Sequence, residues 1–526
     1  MSKKNSRTTN SIYNFISSVG GQFIAILMQF VVRSVFINTL GKSYLGISGL
    51  FSNILSMLAL AEFGVGNAIL YKLYDPLAKE DHHRITVLMK FYKKVYLLIG
   101  LVVGVMGVVL IPFLPAMIND YDKLLALNIK PVLVFLLYLL NSVSSYLFFA
   151  YKSAIVKADQ KEYVLNIVSY AFTIGTGIGE IILLVVFSNF ELYVAVKIFS
   201  VIIQNIVCAK IADRKYPFIN EKIDEKLDFK EIKNLVKDCA ALFLYRLNIV
   251  VQKATDNLMI SFFLGIEMVG MYSNYYMFYT TVDKLMGKVF NSVAHSLGNL
   301  HTGDDIEHQY KIHEAVFLVT AILGGTAGVG IAVVSNDFIK AWVGEDWMFS
   351  TAFAVLLGIE VFTLAFRQAL SKYRSSMGLF RQAQYRPLAG MIINLILSWI
   401  LVQRWGINGV LAGTVIAEWS TMIWFDPLVV HKYGFKKQFS VFRYYRKFAK
   451  YVVTAVAIGA IDMQICSLIS LQNAWINVIA EAIVCGITTP VAIFLVSCRT
   501  TEGRYVYKLG MNYVNKIAKK VKKGRK

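Results

Sequence analysis

The chain has 526 residues, of which 56% are hydrophobic and 17% charged, with a mean hydropathy of +0.56. A soluble fold of this length has too little core to hide that much apolar surface, so lipid must cover much of it. The formal charge of +21 does not mark a nucleic-acid binder, because the Lys and Arg residues sit in short connections between apolar runs rather than together on one soluble face.

About fourteen apolar stretches, each long enough to cross a hydrocarbon core as a helix, follow one another along the chain. The first six are expected at Ser11 to Leu40, Leu45 to Tyr71, Val95 to Ala116, Ile129 to Tyr151, Val164 to Phe187 and Leu192 to Ala212. MSKKNSR followed by about 30 mostly apolar residues is too long for the apolar region of a cleavable signal and reads as a retained first helix. The connection Asp213 to Asp238 (DRKYPFINEKIDEKLDFKEIKNLVKD) is the longest and the most mixed in charge, and reads as a cytoplasmic tether between two lobes. Leu227, Ile232, Leu235 and Val236 recur there near helical spacing, as a surface helix requires. Six further spans are expected at Cys239 to Gly265, Gly270 to Gly298, Ala315 to Val334, Ser350 to Ser371, Leu388 to Val402 and Gly409 to Val430, then a final pair at Tyr451 to Leu471 and Asn477 to Cys498. About 42 of the 54 basic residues fall in alternate connections and the two ends, which places both ends in the cytoplasm.

The fold class is therefore an all-α polytopic membrane protein. Residues 1–212 form an N-lobe of six spans, 213–238 the linker, 239–430 a C-lobe of six spans, 431–498 a C-terminal helix pair and 499–526 a basic tail suited to anionic headgroups. An internal repeat supports the two lobes. LGKSYLG at Leu40 and LGIEMVG at Leu264 match in both glycines at an offset of 224, and the same offset sets Gln22 on Arg246, Gln29 on Lys253, Arg33 on Asn257 and Asn67 on Asn291. Equal helix number and orientation make the repeats parallel, related by an axis along the membrane normal, with a central cleft on that axis as the natural substrate site.

Positions seven and eleven apart return to nearly one helical face, so Gln22, Gln29 and Arg33 form one polar stripe and Arg246, Lys253 and Asn257 another, with Asp256 near Lys253. The eighth span carries Lys284, Lys288, Asn291 and His295 in helical register, with Tyr272, Tyr275, Tyr276, Tyr279 and Asp283 in its outer half, and the tenth carries Glu360 and Arg367. An ionised side chain facing lipid costs about 3 kcal/mol even on lenient scales, so these residues must meet water, a ligand or one another. Arg33, Arg246, Lys253, Lys284, Lys288 and Arg367 make a cationic cleft that calls for an anion, with Gln22, Gln29, Asn67, Asn257, the four tyrosines and Asn291 as polar lining. The plainer reading of these charges is interhelical glue or snorkelling, to which Lys197, Lys288 and Arg33 are most open, and of the tyrosines an interfacial belt. Glu62, in LAEFGVGNAI, is the first candidate for ion coupling, with Asp256 and Asp283 beside it. Gly100 and Gly104, Gly175 and Gly179, and Gly324 and Gly328 have the GxxxG spacing of close helix packing.

No catalytic set, metal site or cofactor motif stands out. LGKS at Leu40 lacks the earlier glycine of a phosphate loop, where Phe36 stands. The histidines His82, His83, His301, His308 and His313 occupy connections without supporting Cys or carboxylate spacing, and Cys208, Cys239, Cys466, Cys485 and Cys498 show no CxxC.

With fourteen spans, six-plus-six lobes, EFGVGNAI at Glu62, TDNLMISFFLG at Thr255 and KAWVGEDW at Lys340, the chain resembles the oligosaccharide flippases of bacterial polysaccharide synthesis. These belong to the multidrug, oligosaccharidyl-lipid and polysaccharide exporter superfamily. The resemblance covers essentially the whole chain. It implies a protein of the bacterial plasma membrane that flips undecaprenyl-diphosphate-linked oligosaccharide to the outer leaflet by alternating access. The partners it implies are that lipid-linked oligosaccharide, membrane lipids and a polysaccharide polymerase or glycosyltransferases, and no nucleic acid. It also implies a cleft lined by the first, second, seventh and eighth spans, and a lipid tail left in the bilayer or against the last helix pair. A cation antiporter of the same superfamily would need an acidic cleft. A membrane glycan polymerase would need a larger outer loop than Met117 to Ile129 or Ser335 to Phe349, and an assembly protein would tolerate loss of the intramembrane charges.

Overall fold

The computed structural model describes residues 7–59, 65–221, 223, 225, 227–233, 254–300, 305–379, 381–383, 385–469 and 471–511. Among them the chain is almost wholly helical, with no strand. Nine helices are long and apolar enough to cross a membrane, or ten if Pro131–Leu147 and Ala150–Ala158, bent by 45° at a short break, make one span. That count is of the described residues alone, and the fold class is as expected from the sequence.

The described residues cluster into two compact units, Met1–Ser273 and Asn274–Lys526. In the first, helix Arg7–Leu58 covers two of the expected segments, divided at Gly41 where φ is 80° and ψ −168°. A side chain there would be strained, which is why the break falls on glycine. The helices that follow are Val65–Ala78, His82–Leu110, Pro131–Leu147, Glu162–Phe187 and Phe190–Lys215. Side chains close two helix starts: Asp81 accepts from the Arg84 N–H and Asn189 from the Leu192 N–H, satisfying donors that the first turn leaves open.

The repeat read from the sequence becomes a contact. A Cβ on Gly46 would lie 2.0 Å from the Ile266 carbonyl oxygen, and one on Gly270 would lie 2.5 Å from the Lys42 carbonyl oxygen. Lys42 and Ile266 stand 224 apart, as do Gly46 and Gly270, so the two contacts are images of each other. The two copies of the motif cross at their glycines as a local twofold would arrange them. Ser43 and Glu267, again equivalent, lie side by side there, with Oγ donating to Oε1 at 3.4 Å.

The first half of the 213–238 connection is packed rather than a free tether. Tyr216, Ile219 and Leu227 are buried with Leu73, Ile85, Leu88, Met89 and Ile155, and Phe218, Ile223 and Ile232 pack on that cluster. Lys152 Nζ meets Asp213 at 2.5 Å and Asn220 at 2.9 Å, Arg84 meets Glu231 at 2.6 Å, and His83 meets Glu225 at 2.5 Å. The hydrogen bond from Arg84 holds the Glu231 carboxyl below its usual range. Hydrophobic spacing was visible in the sequence, but the ion partners lie 61 to 147 positions away. Leu235 and Val236 lie outside the described residues.

In the second unit, helix Ile306–Val343 packs on Thr351–Ser376, Val441–Ser467 and Ala474–Ser497, while Arg386–Trp405 and Ile407–Val429 form an antiparallel pair. Gly328 and Gly358 oppose each other: a Cβ on Gly358 would lie 2.5 Å from the Gly328 carbonyl oxygen. The expected packing role thus holds at Gly324 and Gly328. It fails at Gly175, where a Cβ would meet nothing within 4 Å, and Gly177 makes the contact instead. At one end of this unit Asp426, 1% exposed, accepts from Arg374 at 2.9 Å and lies 3.3 Å from Arg386. Replacing Asp426 by Ala strands the buried Arg374 guanidinium, and a loss of about 3–5 kcal/mol is expected. A thermal-unfolding midpoint in detergent unchanged from the parent would refute that account.

Candidate functional site

Helix Glu162–Phe187 lies against the first helix because Gly177 leaves room for Met28 and Val32: a Cβ there would sit 2.5 Å from Met28 Cγ. With Pro131–Leu147 and Phe190–Lys215 these helices line an open cavity of about 660 Å³, wholly within the first unit. Gln29 and Arg33 reach it from before the Gly41 break, and Ser48, Ser52 and Asn53 from beyond it. The facing walls bring Tyr138 and Asn141, Thr173, Thr176 and Glu180, and Tyr193, Lys197, Ser200 and Gln204, with Ser273 at one side.

Among the described residues that line it, three are charged. Arg33 donates to the Ser273 hydroxyl. Lys197 Nζ donates to Tyr193 Oη at 2.5 Å, stands 4.1 Å from the Tyr193 ring centre and 3.5 Å from Glu180 Oε1. Glu180 is 6% exposed. Two cations against one carboxylate leave the lining with a formal charge of +1. Around them stand hydroxyls and amides, some already joined: Tyr138 donates to Ser48 at 2.9 Å, and Thr176 and Ser200 share a bond. A lining of this kind exchanges hydrogen bonds with a polyhydroxylated group and attracts an anion.

Of the residues expected from sequence, Gln29 and Arg33 line this cavity, whereas Gln22, half-buried on the same helix, is not among its lining residues. Arg246, Lys253 and Glu62 lie outside the described residues, as do the side chains of Asn67 and His295. Asp256, Asn257 and Tyr272 are buried in the first unit. In the second unit Arg367 is bound by Glu418 and Tyr279, and Gln368 donates to Asp283 at 2.7 Å. Tyr275 donates to Asn336 at 2.6 Å and stacks on Phe349 at 5.1 Å, and Tyr276 stacks on Tyr279 at 5.3 Å. Lys284 and Asn291 are exposed and Lys288 half-buried.

The sequence reading passed over Glu180, Tyr138 and Tyr193, and Lys197 entered it only as a snorkelling side chain. Glu180 and Lys197 sit on successive spans, so no periodicity within a helix ties them together. A rule pairing opposite intramembrane charges on neighbouring spans would have found them.

Residues 11–294 match the polysaccharide biosynthesis protein family. The chain belongs to that family. No curated protein matches it. Among solved structures, the lipid II flippase MurJ in an inward closed conformation is similar, with 16% identity over 93% of this chain and 98% of that one and a TM-score of 0.63. An inward-facing multidrug resistance MATE family transporter of the MOP superfamily shares 12% identity over 79% of this chain and 96% of its own, with a TM-score of 0.55. A mutant of the Vibrio cholerae MATE transporter VcmN shares 15% identity over 82% and 99%, with a TM-score of 0.51. At these identities the likeness is one of fold. This member of the polysaccharide biosynthesis family is thus a multi-pass membrane protein with the fold of flippases and transporters.

Proposed function

We propose that this protein is a flippase that carries an undecaprenyl-diphosphate-linked oligosaccharide from the cytoplasmic to the outer leaflet of a bacterial plasma membrane, with both termini in the cytoplasm. The observation that carries the reading is the cavity beside Arg33, +1 in formal charge and walled by hydroxyls and amides. Arg33 holds the anionic link and the amides receive sugar, with Arg246, Lys253, Lys284 and Lys288 as further cationic positions proposed to meet the substrate. The two lobes alternate in access. About two negative charges moving outward across roughly 100 mV gain on the order of 4 to 5 kcal/mol, so the membrane potential suffices to drive export. Glu62, Asp256 and Asp283 are the carboxylates proposed for any ion coupling, and a polysaccharide polymerase or glycosyltransferases the proposed neighbours.

A cation antiporter is the second reading, favoured by the fold shared with MATE transporters and by the buried carboxylates Glu180 and Glu418. Proteoliposomes distinguish the two. Protein-dependent exposure of a fluorescent undecaprenyl-diphosphate oligosaccharide in the opposite leaflet, faster with the potential oriented to pull anions outward, is the result expected of the flippase. Proton-driven uptake of an organic cation with no movement of the lipid-linked sugar would overturn it.

A further inference from the structure

Lys197 is the second cation of the cavity, and its ammonium is already engaged by Glu180 at 3.5 Å and by the Tyr193 hydroxyl at 2.5 Å. Glu180 comes from Glu162–Phe187 and Lys197 from Phe190–Lys215, so the pair bridges two walls of one cavity. Among the described residues that line the cavity with Glu180, the titratable and charged groups are Lys197 and Tyr193 on the neighbouring helix, Tyr138 on Pro131–Leu147 and Arg33 on the first helix. Glu180 is therefore the one carboxylate among these groups, set beside the cation Lys197 in the cavity where an incoming anion would bind.

Two negative charges entering a lining of +1 among the described residues bring that sum to −1, and a net charge away from bulk water is costly. Taking up one proton restores neutrality. The carboxylate is the group whose protonation both removes the like-charge repulsion and frees Lys197.

We propose that Glu180 is a built-in counter-ion that competes with the substrate's phosphate-type anion for Lys197, so that the site binds its anion together with one proton and Glu180 sets the specificity for charge. The inference rests on the reading of the cavity as the anion site. Linkage is reciprocal: if the anion favours a protonated Glu180, then lowering the pH favours the anion. A neutral or cationic solute would show no such gain.

Binding of inorganic pyrophosphate to the full-length protein in detergent, measured by calorimetry from pH 5.5 to 8.5, tests it. Pyrophosphate also titrates, so each protein is compared with Glu180→Gln at the same pH. At the alkaline end Glu180→Gln is expected to bind on the order of tenfold tighter than the parent, and the gap should close as the pH falls and the parent's carboxyl takes its proton. A double variant, Glu180→Gln with Lys197→Met, keeps the lining at +1 through Arg33 alone. Relative to Glu180→Gln it should bind weaker by a constant factor at every pH, and it serves if the single variant is unstable. Equal affinities for parent and Glu180→Gln at every pH, or a gap that does not change with pH, would overturn the counter-ion role while leaving the anion site intact. If Arg33→Ala binds pyrophosphate as well as the parent does, the anion reading itself fails. Loss with Arg33→Ala and no effect of Glu180→Gln overturns this inference alone.

Discussion

Arg33→Ala lowers translocation of a diphosphate-linked oligosaccharide by on the order of 100-fold, with assembly and unfolding midpoint close to the parent's. The size follows from the geometry. Arg33 lines the cavity and its guanidinium donates to the Ser273 hydroxyl, so its positive charge adjoins a space large enough for a ligand. A charged hydrogen-bonding partner removed from a desolvated site costs about 2–5 kcal/mol, and each 1.4 kcal/mol is about tenfold. Folding should suffer less than it would at Arg367, which Glu418 and Tyr279 hold between helices. Arg33→Lys keeps the charge and loses the planar fork, so partial recovery of rate with weakened substrate affinity is expected. Reconstituted variants with the fluorescent lipid-linked probe give both quantities. Translocation at the parent rate in Arg33→Ala would remove the cavity from the transport path.

The fold was legible because the bilayer imposes a length and a polarity on each span that few other constraints rival. Helix ends were less so. The break expected near Leu40 falls at Gly41, where the backbone leaves helical geometry, but the span expected to begin at Val95 begins at His82. The repeat was legible as residue identities, and its meaning appeared only as backbone proximity between Gly46 and Gly270. The site was half legible. Gln29 and Arg33 share a helical face and so declare themselves by spacing, whereas Glu180, Lys197, Tyr193 and Tyr138 reach the same cavity from three helices, and no one-dimensional period records that. Arg367 shows the converse: its charge was plain in the sequence, and its partner Glu418 lies 51 positions on.

Joining Ser43 to Glu267 should arrest transport. Replaced together by cysteine and bridged with a short bifunctional thiol reagent, these positions fix the crossing of the two repeat motifs, whose backbones meet at Gly46 and Gly270 with no room for a Cβ. Contacts this close are of the all-or-none kind, since packed backbones either interlock or part and do not stretch. Alternating access requires contacts on one side of the membrane to open in each cycle. The symmetric position of this crossing, made by equivalent residues of the two copies, is where a rocking motion of one copy against the other would have to separate backbone from backbone. Bridged protein should therefore lose nearly all translocation, with a reagent cleavable by reductant restoring it, while pyrophosphate binding persists. Full activity of the bridged protein would show the crossing to be a fixed pivot, and the moving contacts would then have to lie elsewhere in the chain.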